Sequence, residues 1–376
     1  MTDSVKKKKR RSSASGLTPL FNNFAEKAIR DFPRLKDKFA LYSMPTDSWH
    51  GKSANDNKTD ALLDELLIEA ETHTDVAFAY QTSGRYLMAY VSNHKSRAMT
   101  SAKEPYEQEI LAVLEHELGH LVAPAGHSDR HSENFGECVA DTFSFIRQQQ
   151  QLASIKRPLE ATIWISLRDF VLHNESLHLT APVLAELQRL SQEHDLSKLT
   201  PVQSANLAYR LSLQYAYSKK QLRELEKIFE PVRRNTDPES ALKKCAEIML
   251  ADHGEYSPIV FTIGKNLLEP FLNQNMDILT AALSRKKADL KLTGKFWNDI
   301  RAKIKNHEAA QAQETPEQIL AREATDLQAL GRFDRQPDKM IGPKKYESKE
   351  NRVHLASARE DYVAKTAVQR GIRPPC

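Results

Sequence analysis

The sequence predicts an α+β protein that is mostly helical, and three observations point there. Apolar residues recur at helical spacing in one segment after another beyond residue 100. Two short apolar-aromatic runs, VAFAY (76–80) and YLMAYV (86–91), stand apart from that pattern and read as strands. The 376 residues, 40% of them hydrophobic, suffice for one large core or two of medium size.

Charge and cysteine usage narrow the class. The formal net charge is +4, but the run KKKKRR at 6–11 alone carries +6, so the rest of the chain sums to −2. The basicity therefore belongs to the tail Lys6–Arg11, which reads as an import address, a nucleic-acid arm or a solvated terminus. No apolar run reaches bilayer length, and SSASGLTPLF follows the basic run where a signal peptide would place its apolar core. A cytoplasmic protein without a membrane span is expected, with the nucleus, or export without a cleaved signal, as alternatives. Cys138, Cys245 and Cys376 form neither CxxC pairs nor an even set, which argues against a disulfide scaffold and a cysteine-rich zinc site.

Taken in order, residues 1–20 read as a disordered basic tail. DALLDELLIEAETH, from Asp60, places Leu63, Leu66, Leu67 and Ala70 on one helical stripe. VAFAY and YLMAYV, separated by QTSGR, form a hairpin signature in which Gly84 can take a positive φ. The segment 101–124 reads as one long helix: Ser101 and Glu104 have capping-box form, Pro105 falls in the first turn and Pro124 closes the run. Its apolar stripe is Ile110, Leu114, Leu118 and Leu121, with His116 and His120 on the far side. HSENFGECVADTFSFIRQQQ (131–150) reads as a second helix, with Phe135, Val139, Phe143 and Ile146 inward and Glu133, Glu137 and Asp141 opposite. Residues 156–304 read as a helical domain, and 305–376 as a charged, largely flexible tail with a helical patch. The region 21–155 is then a separate module.

That module carries the chemistry. LEHELGHLVAP (114–124) contains HExxH, which sets His116 and His120 one turn apart on one helical face, aimed together. A catalytic zinc is tetrahedral, with three protein ligands and one open position, so two histidines need a third partner. The acidic face of the next helix offers Glu137 and Asp141, with Glu133 as the competing ligand.

HELGH followed by ECVAD, with Glu137 seventeen residues beyond His120, resembles the gluzincin zinc metallopeptidases, whose pattern is HExxH and then ExxxD. The ExxAD form is similar to that of the ImmA/IrrE-type regulatory peptidases; the resemblance covers about residues 60–150. It implies a zincin-like module and the hydrolysis of peptide bonds in a protein or peptide substrate, with Zn²⁺ as cofactor. His116, His120 and Glu137 would be the ligands, Glu117 the general base and Asp141 the acceptor that fixes a histidine tautomer. In zincin-like folds an edge strand above the cleft pairs with extended substrate, and YLMAYV is the natural counterpart. Gluzincins also take a hydrogen-bond donor for the transition state from the region beyond the second helix, where Tyr209, Tyr215, Tyr217, His173 and His178 are available.

The metzincin pattern HExxHxxGxxH fails on register, because Ala123 and Gly126 stand where it needs Gly and His. His127 and His131 fall in a polar loop between the helices, and Cys138 reads as a small buried side chain. The alternative function is a non-catalytic helical interaction or nucleic-acid-associated protein in which the zincin-like module is structural.

Overall fold

The computed structural model of the chain describes residues 17–44, 48–51, 77–82, 85–90, 106–122, 133–151, 171, 176–273 and 292–311. It is mostly helical with one small mixed sheet, as the α+β reading expects. The chain divides into two compact units: the sheet belongs to the one that holds Met1–Asn93, and His94–Met340 form the other. The two helices that carry HExxH and ECVAD thus belong with the helical array, and the expected 21–155 module is divided between the units.

In the sheet unit, α1 (Thr18–Asp31) starts with Pro19 in its first turn and buries Phe21, Phe24, Ala25 and Ala28. Residues 18–20 are accordingly helical, where the sequence reading placed them in the basic tail. Strands β1 (Phe39–Ser43), β2 (Ser48–His50), β3 (Ala77–Thr82) and β4 (Arg85–Tyr90) form a sheet in the order β2-β1-β4-β3. β3 and β4 make the expected antiparallel hairpin, closing at the Thr82–Arg85 pair. β1 runs parallel to β4, with Phe39 opposite Tyr86 and Ser43 opposite Tyr90. The expectation that YLMAYV is an exposed edge is therefore corrected: β4 is bonded on both sides, and among the described strands β2 and β3 are the edges. Residues 86–90 are all buried, and β1 is buried along its whole length, as suits strands covered on both faces. The stripe from Leu63 to Ala70, Gly84, the Ser101–Glu104 pair, Pro105 and Pro124 lie outside the described residues.

In the second unit, α2 (Tyr106–Val122) and α3 (Glu133–Gln151) bury the predicted stripes. Ile110, Leu114, Leu118 and Leu121 are all buried, and so are Phe135, Val139, Phe143 and Ile146. Each such side chain contributes about 1.5–3 kcal/mol relative to exposure. The helices cross at small residues. A Cβ on Gly119 would stand 2.8 Å from the Ala140 Cα and 3.2 Å from its carbonyl oxygen, so only glycine permits this approach. Ser144 adds a hydrogen bond of 2.8 Å to the Ala112 carbonyl.

A buried ion pair ties the same helices further along. Arg147 donates from Nε to Glu115 Oε2 at 3.3 Å, and Gln151 donates to Glu115 Oε1 at 2.5 Å; Glu115 and Arg147 are 1% and 4% exposed. Removing one partner strands a buried charge, so Glu115→Ala is expected to cost about 3–5 kcal/mol, whereas a paired apolar replacement, Glu115→Leu with Arg147→Met, should recover most of it. Urea denaturation of the two variants checks this; equal stabilities would show that the charges are solvated.

Beyond α3 come α4 (Ala181–Glu193), α5 (Pro201–Tyr215), α6 (Lys219–Arg233), α7 (Pro238–Leu250), α8 (Ser257–Leu272) and α9 (Lys295–Gln311). Their starts follow from local chemistry: Thr200 with Gln203 and Ser218 with Gln221 form capping boxes, and Asp237 caps through the Ser240 N–H. α9 runs past residue 304 into the stretch read as a charged tail with a helical patch; residues 312–376 lie outside the described residues. Cys138, Phe145 and Ile146 of α3 share one core with α4 to α9. Burial pushes the Cys245 thiol up to about 12 and keeps it protonated. No helix among the described residues is long and apolar enough to cross a membrane.

Candidate metal centre

The contact of α2 with α3 brings the predicted residues together. His116, His120 and Glu137 each offer one ligand atom, and the three atoms lie within 4.8 Å of one another. The separations are 3.2 Å between the two Nε2 atoms, 3.4 Å from His116 Nε2 to Glu137 Oε2 and 3.7 Å from His120 Nε2 to Glu137 Oε1. Donors about 2.0–2.1 Å from a tetrahedral zinc stand about 3.3 Å apart; the two imidazole nitrogens have that spacing, the carboxylate faces each of them with a different oxygen, and the group could hold a metal ion. The imidazoles meet edge to face, with centroids 4.9 Å apart and planes at 83°.

Asp141, one turn beyond Glu137, accepts a hydrogen bond of 2.8 Å from His116 Nδ1. A carboxylate can only accept, so Nδ1 carries a proton, and in the neutral ring Nε2 is the nitrogen with a lone pair for the cluster. Thr180, fully buried, donates to the other oxygen, Asp141 Oδ2, at 2.6 Å. Each oxygen of Asp141 thus has a partner, and the carboxylate is held in one orientation. Glu117 follows His116 on α2 and is half-buried, within reach of both solvent and protein.

His178 also reaches the cluster, with Nε2 3.6 Å from Glu137 Oε2 and its side chain 48% exposed. Of the other candidate donors, Tyr209 packs edge-on against Phe135 at 5.5 Å, the Tyr215 hydroxyl accepts from Gln214 at 3.2 Å, and the Tyr217 backbone N–H bonds to Asn134. His127, His131, His173 and the side chain of Glu133 lie outside the described residues. Cys138 is buried, as expected. Burial first, then the Asp141 and Glu137 carboxylates, push its thiol well above the usual range.

The electrostatics of the metal-free cluster are those of a proton standing in for a cation. Burial opposes a charge on His116, but hydrogen bonds to Asp141 and Glu137 outweigh it and raise its pKa well above the ordinary 6.5. Burial would likewise raise Glu137, yet His120, His116 and His178 hold it far below its ordinary 4.5. Stability from His116 is then complete below 6.5 and fades as pH rises through the raised value; stability from Glu137 is present above 4.5 and fades as pH falls. The cluster stabilises the metal-free fold most between these two values. Metal needs the neutral imidazole, so binding releases protons, and the rise in melting temperature on adding zinc should grow as pH rises from below 6.5 through the raised range of His116. A zinc-induced shift independent of pH would exclude ligation by His116.

Comparison with protein-family models, with curated proteins and with solved structures finds no match.

Asn134, Thr180, Gly119 and Ala140 escaped the sequence reading. The small residues inside HELGH and ECVAD are a weak signal of close helix packing. Nothing local marks Asn134 or Thr180, whose partners are distant in sequence.

Proposed function

We propose that the chain is a zinc-dependent metallopeptidase that hydrolyses peptide bonds in protein substrates. His116, His120 and Glu137 hold the metal, and Glu117 acts as general base. The observation that supports this best is that His116, His120 and Glu137 bring one ligand atom each within 4.8 Å of one another, with Asp141 fixing the tautomer of His116. Zinc bound there would lower the pKa of a coordinated water from 15.7 to about 7 and polarise a carbonyl. Glu117 accepts the proton of the attacking water, and a carboxylate is a sufficient base once that pKa is near neutrality. His178, beside the Glu137 carboxylate, donates a hydrogen bond to the oxygen on which negative charge develops. Asp141 with Thr180 keeps a proton on His116 Nδ1, which leaves Nε2 as the ligand nitrogen, and prevents the ring from turning.

The test is hydrolysis of extended peptides and whole proteins by protein holding about one zinc per chain. Cleavage that stops on chelation and returns with zinc is expected. A fully loaded protein that cleaves nothing in a broad peptide library would make the centre structural, which is the alternative reading of the sequence.

A further inference from the structure

The turn that carries His178 buries none of its own side chains, and the chain is anchored immediately after it, where Leu179 is fully buried in the core. Ser176–His178 forms a single short 3₁₀ turn without a buried side chain, and Leu177 is 40% exposed. Yet the His178 ring stands 3.6 Å from Glu137. Leu179 anchors one end of the segment, and the exposed part before it depends on its backbone hydrogen bonds.

Besides its internal bonds and that of Thr180 to Asp141, the turn is bonded through its carbonyls to one residue of α3. Asn134 lies on α3 nearly one turn before Glu137 and is fully buried. Its Nδ2 donates to the carbonyls of Leu177 at 2.7 Å and Leu179 at 3.1 Å, with Ser176 further off at 3.4 Å. Its Oδ1 accepts from the Tyr217 N–H at 3.2 Å and from the Cys138 thiol at 3.7 Å. Carbonyls can only accept, so the amide has one possible orientation. A buried amide satisfied at both ends is a rigid pin, and losing it would leave two carbonyls and an N–H without partners.

We propose that Asn134 is a positioning residue: it holds the 176–179 segment on the helix that supplies Glu137, and so fixes His178 as hydrogen-bond donor to an oxyanion bound at the metal. This rests on the zinc-site reading above. One helix face thus sets a metal ligand through Glu137, the orientation of His116 through Asp141, and the donor through Asn134.

The probe is acetohydroxamate, an anionic zinc chelator, titrated calorimetrically into the zinc-loaded full chain after its zinc content has been measured. His178→Ala should weaken binding by about 10 to 100-fold, the range for a hydrogen bond to a charged group, with zinc content unchanged. Asn134→Ala should weaken it in the same way. The double variant should be no weaker than His178→Ala alone, because the two residues act through one contact. Where Asn134→Ala does not fold, Asn134→Ser, which leaves a smaller cavity and retains a hydroxyl, is read against the same criterion. Additive losses in the double variant, or unchanged hydroxamate affinity in a folded, zinc-loaded Asn134 variant, would overturn the proposal. A wild-type chain that takes up no zinc would overturn the metal-site reading itself, and the zinc measurement separates that failure from the failure of the pin.

Discussion

Glu117→Gln is expected to keep fold and zinc content while peptide hydrolysis falls by about 10² to 10⁴-fold, the usual yield of general base catalysis. Glutamine preserves the side chain's length and one hydrogen-bonding oxygen but cannot take a proton. The residues that could hold the metal are His116, His120 and Glu137, so the substitution removes none of them. The wild-type rate should rise with pH through a group near neutrality, since the attacking water must lose a proton. Chromatographed wild-type and variant proteins assayed on the same verified substrate decide the matter. Near-normal turnover by the variant would return HELGH to a polar face on a structural helix.

His120→Ala should empty the metal site altogether. Two of three ligands remain, and Glu137 then shares its charge with His116 and His178 alone. A three-ligand zinc site has no protein donor to spare. Asp141→Ala acts less directly: His116 loses the acceptor that holds its tautomer, and zinc affinity should fall by about 10 to 100-fold. Thr180→Val removes the hydroxyl that donates to Asp141 and should sit below that range. Metal analysis of dialysed protein and competitive chelator titration measure both effects. Full zinc occupancy in His120→Ala would sink the ligand assignment.

Helix faces were legible in the sequence because periodicity reports which side of an element is buried. Ile110 to Leu121 and Phe135 to Ile146 are inside, and the residues opposite them meet at the cluster. Periodicity says nothing of partners. The parallel pairing of β1 with β4 joins segments far apart in the chain, and so YLMAYV, read alone, passed for an edge. Asn134 and Thr180 illustrate the same limit. Each is an ordinary helix-cap or loop residue by type, and its role exists only once α3 meets the 176–180 segment. Glu137 could be found because its chemistry and its register on the helix coincide with those of the histidines.

The helix α3 leads two lives. Its first half supplies Glu137 and Asp141, while further along Phe145 and Ile146 enter the core shared with α4 to α9, and Gln150 donates to the Leu199 carbonyl and the Ser204 hydroxyl. Loosening α3 enough to release the metal therefore disturbs the array as well, and the two should open as one cooperative unit. A ligand confined to the native state at 100 times its dissociation constant stabilises that state by about 2.7 kcal/mol. Amide hydrogen exchange should accordingly slow on zinc addition in α4 and α5 as well as in α2 and α3. The occupancy of a few side chains near Glu137 would thus be readable, as exchange protection, in helices that supply it no ligand.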